Sequence, residues 1–160
     1  MKIGLCGAGG RVGAAILEVM IQKGHIPAAA FDAPGSPMLS QSTADIVKKG
    51  ENHCKVSLIN IDDLKKTEGV IDFSSPAATF ELIKLMKPLG LPLVIGTTGF
   101  TEDEIASLKE ASSEMPLLFS PNMSLAVNLL FKLTEIAASS LNMDYDVEIF
   151  ESHHKFKKDA

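Results

Sequence analysis

Residues 2–23 read KIGLCGAGGRVGAAILEVMIQK, and the organisation of the whole chain follows from this stretch. Ile3, Leu5 and Cys6 form a short apolar run that is typical of a buried parallel strand. After the glycines that follow, apolar residues recur at helical spacing over 12–20, which predicts a helix beginning inside a glycine turn. A strand, a glycine turn and a helix in this order are the context that a dinucleotide fingerprint requires.

The glycine spacing departs slightly from the standard fingerprint. Gly7, Gly10 and Gly13 give GxxGxxG, with Gly9 as an extra glycine between them. Glycines let the backbone turn sharply and approach a pyrophosphate, and the N-terminus of the helix offers unpaired N–H groups. A glycine turn that closes a plain βα unit, with no ligand, remains the alternative on this motif alone.

Length, composition and charge are those of an ordinary globular protein. The chain has 160 residues, 46% of them hydrophobic and 22% charged, which is enough for a domain with a real core. The net charge of −5 gives no general case for nucleic-acid binding, and no apolar run is long enough to span a membrane. Cys6 and Cys54 do not make a disulfide framework, and Cys6 is expected in the core. We therefore expect a cytoplasmic protein with no nucleic-acid or membrane partner.

Predicted strands alternate with predicted helices along the chain, which indicates a doubly wound parallel sheet of the α/β class. Strands are expected at 26–31, 56–59, 70–73, 93–95 and 117–119, with a further β-like segment at 146–150. Helices are expected at 76–87, 101–113 and 125–141, with short ones at 44–49 and 62–66, and 33–52 is expected to be a mobile surface excursion. Ligands of such sheets bind beyond the carboxyl ends of the strands.

An acid stands at the end of the second predicted strand. Asp32 follows Gly13 by 19 positions, close to the spacing at which the fingerprint expects a carboxylate for the ribose hydroxyls. A turn or cap aspartate is the alternative. No Arg or Lys follows nearby, so a ribose 2′-phosphate would meet a carboxylate, and we expect NADH to be used at least as well as NADPH. Arg11 is the one candidate that could reverse this preference.

Two further segments carry chemistry. Gly96-Thr97-Thr98-Gly99 follows a buried strand and could present N–H and O–H donors to an amide or a carboxylate, or be a plain loop tip. The ending ESHHKFKKDA sets two histidines among lysines; it predicts no metal site, because further ligands at suitable spacing are missing. A solvated basic tail is one interpretation. An anion site in which a His or Lys titrates low enough for proton transfer is the other.

The glycine turn, the GTTG loop, the segment SPNMSLAVN and ESHHKFKKDA occur in this order, and together they closely resemble the bacterial dihydrodipicolinate reductases. The family signature is E-x-H-H-x-x-K-x-D-A-P-S-G-T-A, and residues 151–160 carry its first ten positions. The resemblance implies a Rossmann-type dinucleotide-binding domain over 1–123. It also implies the start of an α+β substrate and tetramerisation domain over 124–160.

The family also implies a reaction and a set of roles. A member reduces 4-hydroxy-tetrahydrodipicolinate to tetrahydrodipicolinate with NADH or NADPH, in lysine and diaminopimelate biosynthesis. By matching position, His153 would be the acid/base residue and Lys157 the proton donor, while His154 and Thr98 would contact the small dicarboxylate substrate. The cofactor would be lined by Gly7, Ala8, Gly9, Gly10, Arg11, Val12, Asp32, Gly96, Thr97, Thr98, Ser120, Pro121, Asn122 and Met123. Ser75 stands where some members have an arginine near the cofactor phosphates.

One departure from the family bears on activity. The sequence stops at Ala160, before P-S-G-T-A, whose turn would grip a substrate carboxylate. The resemblance implies a homotetramer for a full-length member, and we expect the 160 residues alone to bind dinucleotide but to have little reductase activity. A non-catalytic dinucleotide-binding module is the competing interpretation, although such a module has no use for His153, His154 and Lys157.

Overall fold

The computed structural model describes residues 1–47, 54–141, 145–150 and 152. Its centre is a six-stranded, all-parallel sheet, as the alternating pattern predicts. The strands are β1 (Lys2–Cys6), β2 (Ile26–Phe31), β3 (Val56–Ser57), β4 (Gly69–Asp72), β5 (Leu93–Ile95) and β6 (Leu117–Phe119). The helices are α1 (Arg11–Gln22), α2 (Thr43–Val47), α3 (Ile61–Leu64), α4 (Pro76–Met86), α5 (Glu102–Ala111) and α6 (Leu125–Ser140).

The strand order places β1 at the centre of the sheet. The order is β3-β2-β1-β4-β5-β6, so β1 pairs with β2 on one side and with β4 on the other. The chain therefore reverses its direction of travel across the sheet at the β1–β4 pair. A ligand crevice forms at such a switch point, outside the carboxyl ends of the strands.

Both faces of the sheet are covered, which is why its strands read as apolar runs. Successive residues of a strand point to opposite faces, and Ala30 and Phe31 accordingly enter two different clusters. One cluster contains Leu82, Met86 and Leu108 of α4 and α5. The other contains Leu17 and Met20 of α1. This assignment explains the buried stripe of α1 and fixes the helix over β1 and β2.

Three predicted helix starts are confirmed. The Ser75 side chain accepts a hydrogen bond from the Ala78 N–H, with Pro76 in the first turn. Thr101 and Glu104 form the expected capping box. Ser124 caps α6 through the Val127 N–H.

The segment after β2 is more closely packed than a surface excursion would be. Thr43 is fully buried, and Met38 and Ile46 pack against the cluster on the α1 face. Backbone hydrogen bonds tie Ser40 and Gln41 to Val56 of β3. The rest of the predicted excursion, residues 48–52, lies outside the described residues.

Contacts within the chain define one compact unit, Met1–Pro121, and a second that begins at Asn122. In the second unit, α6 buries none of its side chains, and Leu125, Leu130 and Phe131 are more than half exposed. The expectation of a β-like segment at 146–150 was wrong, since these residues form no strand. A strand needs a hydrogen-bonded neighbour, and the six described strands pair only with one another. Within the described residues, no helix combines the length and the apolarity needed to cross a bilayer.

The contact between Gly13 and Gly7 makes a stability prediction. A Cβ at position 13 would lie 2.1 Å from the carbonyl oxygen of Gly7. Alanine ordinarily stabilises a helix interior by about 1 kcal/mol relative to glycine. We expect Gly13→Ala to lower the free energy of unfolding by about 1–3 kcal/mol instead, because the backbone must shift. Urea unfolding followed by circular dichroism measures this.

Ala15→Gly, at an exposed position of the same helix, calibrates the ordinary propensity effect. If Gly13→Ala raised the free energy of unfolding by as much as Ala15→Gly lowers it, the close approach of Gly13 to Gly7 would impose no constraint.

Candidate functional site

The loop that follows β1 has glycine where the backbone allows no other residue. Gly7 has a φ of 81°, and a Cβ there would lie 2.2 Å from the carbonyl oxygen of Phe73. The N–H groups of Gly7 and Ala8 both donate to the carbonyl of Phe31, at 2.9 and 3.1 Å. The turn is therefore fixed between the ends of β2 and β4 before any ligand is considered.

The N-terminus of α1 is left available to an anion. Gly10 is the N-cap, no side chain caps the helix, and its first turn has no acidic residue. The first N–H groups of a helix lack intrahelical partners, and the helix dipole places a partial positive charge there. The group that suits this position is a phosphate or a pyrophosphate.

Asp32 lies beside the glycine turn and is tied to it. Its Oδ2 accepts from the Gly9 N–H at 3.1 Å and from the Ser36 hydroxyl at 2.8 Å, and its Oδ1 accepts from the Ala33 N–H at 2.9 Å. A Cβ at Gly9 would lie 2.3 Å from Asp32 Oδ2. An ionised carboxylate has about four acceptor positions, so this one keeps capacity for a further hydroxyl.

A cleft of about 460 Å³ opens between the glycine turn, the segments that follow β2, β3 and β4, and α4. Its lining includes the apolar residues Pro34, Leu58 and Ile59 and the acidic residue Asp32. Apolar walls with a few placed polar groups are typical of small-molecule sites. An apolar slot beside an acid suits a flat base joined to a sugar.

A second cleft, of about 410 Å³, lies on the other side of the glycine turn. Its lining is the start of α1 together with the GTTG loop, namely Gly10, Arg11, Val12, Gly13, Phe73, Ser74, Gly96, Thr97 and Thr98. It shares Gly10, Phe73 and Ser74 with the first cleft. An extended ligand can therefore pass from one cleft to the other across the N-terminus of α1.

Asp72 directly precedes Phe73 and Ser74, which line both clefts. It is completely buried at the end of β4, where its carboxylate accepts from the hydroxyls of Ser74 and Thr79. Burial raises the pKa of this carboxyl above its ordinary value, although hydrogen bonds from Ser74, Thr79 and Thr97 oppose the shift. The Thr97 hydroxyl in turn accepts from the Ser74 N–H at 2.9 Å. The β4 and β5 loops are therefore joined through this acid.

Cys6 lies close enough to Asp72 for the charge of that acid to act on its thiol. It is 2% exposed. Burial, reinforced by the Asp72 charge, raises the pKa of its thiol to about 12. The group is thus a protonated core thiol at neutral pH, which agrees with its expected place in the core.

The structure brings together most of the predicted site residues of the first unit. The glycine turn, Asp32 and the GTTG loop meet at the carboxyl edge of the sheet, and Arg11 lies in the cleft that does not contain Asp32. Ala8 is completely buried, packs in the cluster that contains Leu17 and Met20 of α1, and lines neither cleft. Thr97 is 3% exposed, whereas Thr98 is exposed.

Four of the remaining predicted residues lie at the boundary between the two units, and three lie outside the described residues. Ser120 donates its N–H to Ile95 at the end of the first unit, and Asn122 begins the second unit, where its side chain accepts from Ser124. Pro121 ends the first unit and lines neither cleft, and Met123 lies in the second unit. His153, His154 and Lys157 lie outside the described residues. Among the described residues, no group of three His, Cys, Asp or Glu side chains could hold a metal ion.

Sequence reasoning missed Asp72, Phe73 and Glu81. A charged residue at the end of the apolar run VID was the available signal for Asp72. Phe73 could be inferred only with the fold in hand, because a Cβ at Gly96 would lie 2.1 Å from its ring. Glu81 lines the first cleft from α4. In the sequence it is one of the polar residues of a predicted helix, and nothing distinguishes it from the others.

The strand order, the uncapped glycine turn and the acid at the end of β2 define a Rossmann-type dinucleotide-binding domain. The family models of dihydrodipicolinate reductase match the chain on both sides of its unit boundary, the N-terminal model over residues 1–123 and the C-terminal model over 126–160. The chain belongs to the dihydrodipicolinate reductase family.

Individual relatives agree with this assignment. The 4-hydroxy-tetrahydrodipicolinate reductase of Dechloromonas aromatica is 40% identical over 99% of this chain and 59% of its own length. That of Ralstonia pickettii is 41% identical over 100% of this chain and 61% of its own length. The chain thus spans about three-fifths of the length of the curated relatives it matches.

Solved structures share the fold. A dipicolinate-bound dihydrodipicolinate reductase from Paenisporosarcina sp. TG-14 superposes with a TM-score of 0.63 and 22% identity, over 87% of this chain and 54% of that one. An aspartate semialdehyde dehydrogenase from Candida albicans, solved with NADP, gives a TM-score of 0.51 and 13% identity over 74% and 41%.

The buried Asp72 makes a prediction about pH. Because its pKa is higher in the folded than in the unfolded chain, the folded state binds this proton more tightly. Stability attributable to this group is therefore present below the unfolded pKa and falls as the pH rises toward the folded pKa. We expect the free energy of unfolding of the unaltered chain, minus that of Asp72→Asn, to decrease with pH.

Urea unfolding of both proteins at several values between about pH 4 and pH 8 measures this difference and cancels the titration of all other groups. A difference that stays flat with pH would contradict the raised pKa of Asp72.

Proposed function

We propose that the chain is the nucleotide-binding part, with the beginning of the substrate-binding part, of an NADH- or NADPH-dependent 4-hydroxy-tetrahydrodipicolinate reductase. Nucleotide binding is supported above all by one observation: the uncapped N-terminus of α1 lies between the two clefts, with Asp32 at one side. The names of the relatives support the reaction. The dipicolinate bound by the structural neighbour supports a small dicarboxylate substrate.

The residues present fit a dinucleotide in a defined direction. The base and ribose next to Asp32 would occupy the first cleft, with the apolar side chains of Leu58 and Ile59 against the base. The N–H groups at the start of α1 would bind the pyrophosphate. The nicotinamide end would enter the second cleft, where Thr98 is exposed.

The charge of the first cleft supports NADH as at least as good a cofactor as NADPH. Among its described lining residues, Asp32 and Glu81 are carboxylates, and none is a cation. Ser75, where some members of the family have arginine, caps α4 and adds no charge. A 2′-phosphate would gain no ion pair from these residues.

The chemistry would depend on both parts of the protein. Bound reduced nicotinamide supplies a hydride. His153 and Lys157 would supply and stabilise the proton that accompanies it, while His154 and Thr98 would hold the substrate. The lysines that neighbour these residues in the sequence would favour an anionic substrate. Homotetramer formation in a protein of the full family length belongs to the same proposal.

The first test of this proposal is nucleotide binding. We expect NADH to bind, and Asp32→Ala to weaken that binding about tenfold or more, because a charge-assisted hydrogen bond to the ribose is lost. Calorimetric titration of NADH measures the dissociation constant. Asp103→Ala removes an equal charge from an exposed site on α5 and should leave it unchanged.

Binding of NADH that is equally tight in Asp32→Ala would remove Asp32 from the site. Failure of NADH and NADPH to bind the folded chain would contradict the proposed function itself.

The second test concerns catalysis, in a chain that carries both parts of the family. We expect His153→Gln and Lys157→Met to lower kcat by about 10²–10⁴, since each removes a group that transfers or stabilises a proton. The dissociation constant of NADH should change little. Lys158→Met, one residue further on, is matched in charge and should retain most activity.

The 160 residues by themselves should bind NADH and turn over the pathway substrate poorly. Normal turnover by them would contradict the requirement for further substrate-binding residues. NADH binding by the longer chain without any turnover would favour the non-catalytic binding module.

A further inference from the structure

The first cleft contains a carboxylate that the dinucleotide fingerprint does not account for. Glu81 lies in α4 and lines the cleft with Ala77 and Ala78. Residues three and four apart share one face of a helix, so these three present a single surface. Two alanines leave room beside the longer glutamate, whose carboxylate can reach into the opening.

Glu81 is free to act on a ligand. It is exposed, and among the described residues no ion pair includes it. Lys84, one turn further along α4, does not pair with it. Its charge is thus not neutralised by a partner in the part of the chain that the structure describes.

Asp32 and Glu81 approach the same cleft from different elements. Asp32 directly follows β2, whereas Glu81 is in the second turn of α4, whose first turn has no acidic residue. Asp32 is held by three donors and offers an oxygen to a ribose hydroxyl. Within the described residues, Glu81 accepts no such hydrogen bond, and its action on the ligand would be through its charge.

We infer that Glu81 is a specificity-determining residue of this site, which disfavours nucleotides that carry a 2′-phosphate on the adenosine ribose. This inference rests on the proposed function, because it assumes that the cleft holds an adenosine. A doubly negative phosphate beside two carboxylates is repelled over distances within the Debye length of about 10 Å in 0.1 M salt. The same charge has little effect on a ribose with free hydroxyls.

The test compares the affinities of NADH and NADPH, which differ only in that phosphate, by calorimetric titration of Glu81→Gln and Glu81→Lys. We expect the ratio of the NADPH to the NADH dissociation constant to fall about threefold in Glu81→Gln and about tenfold or more in Glu81→Lys. The NADH constant itself should change less than about twofold. The effect in Glu81→Lys should shrink in 0.5 M salt, because screening weakens it.

Glu110→Gln and Glu110→Lys, at an exposed position of α5, change the net charge equally and should leave the ratio as it is. An unchanged ratio in the Glu81 variants, or an equal change in the Glu110 variants, would overturn the inference while NADH binding keeps the proposed function intact. If neither nucleotide binds the unaltered chain, the proposed function fails and the inference fails with it.

Discussion

The close approach of Gly13 to the carbonyl of Gly7 sets the position of everything at the carboxyl edge of the sheet. It brings the first turn of α1 against the end of β1, where no larger residue would fit. Hydrogen bonds hold the start of this loop on both sides. The Gly7 N–H donates to the carbonyl of Phe31 at the end of β2, and the Phe73 N–H, just after β4, donates to the carbonyl of Cys6. One turn of chain thereby aligns the helix, the acid of β2 and the loop of β4 about a common point.

Charge is distributed around that point in a way that suits a dinucleotide. The uncapped start of α1 offers partial positive charge for a diphosphate, and Asp32 offers an acceptor for hydroxyls. Asp72 is completely buried and lines neither cleft; its oxygens accept from the hydroxyls of Ser74 and Thr79. The buried thiol of Cys6, near Asp72, stays neutral. The start of α1, which suits an anion, and Asp32, which suits hydroxyls, are therefore separate groups that lie within the length of one loop of each other.

Local signals in the sequence were sufficient for the elements that frame the site. The change of period after Cys6 predicted β1 and α1, and Ser75-Pro76 and Thr101 with Glu104 predicted the starts of α4 and α5. These features depend on residues within a few positions of one another, and all were confirmed.

Features that depend on distant residues could not be predicted in this way. The burial of Asp72, the ring of Phe73 against Gly96 and the exposure of Glu81 to the first cleft each require the strand order. The packing of Met38 and Ile46 against the cluster on the α1 face requires the return of the chain to β3. The segment 146–150 looked like a strand by composition, but composition does not supply a pairing partner.

The central claim is that the start of α1, between the two clefts, holds the diphosphate of a nicotinamide nucleotide. The most direct measurement is a titration of ¹⁵N-labelled protein with NADH, followed by the backbone amide resonances. We expect the largest shifts at Gly10, Arg11, Val12 and Ser74, with small shifts in α5. Saturating NADH that leaves those four amides unmoved, or that shifts α5 instead, would contradict it.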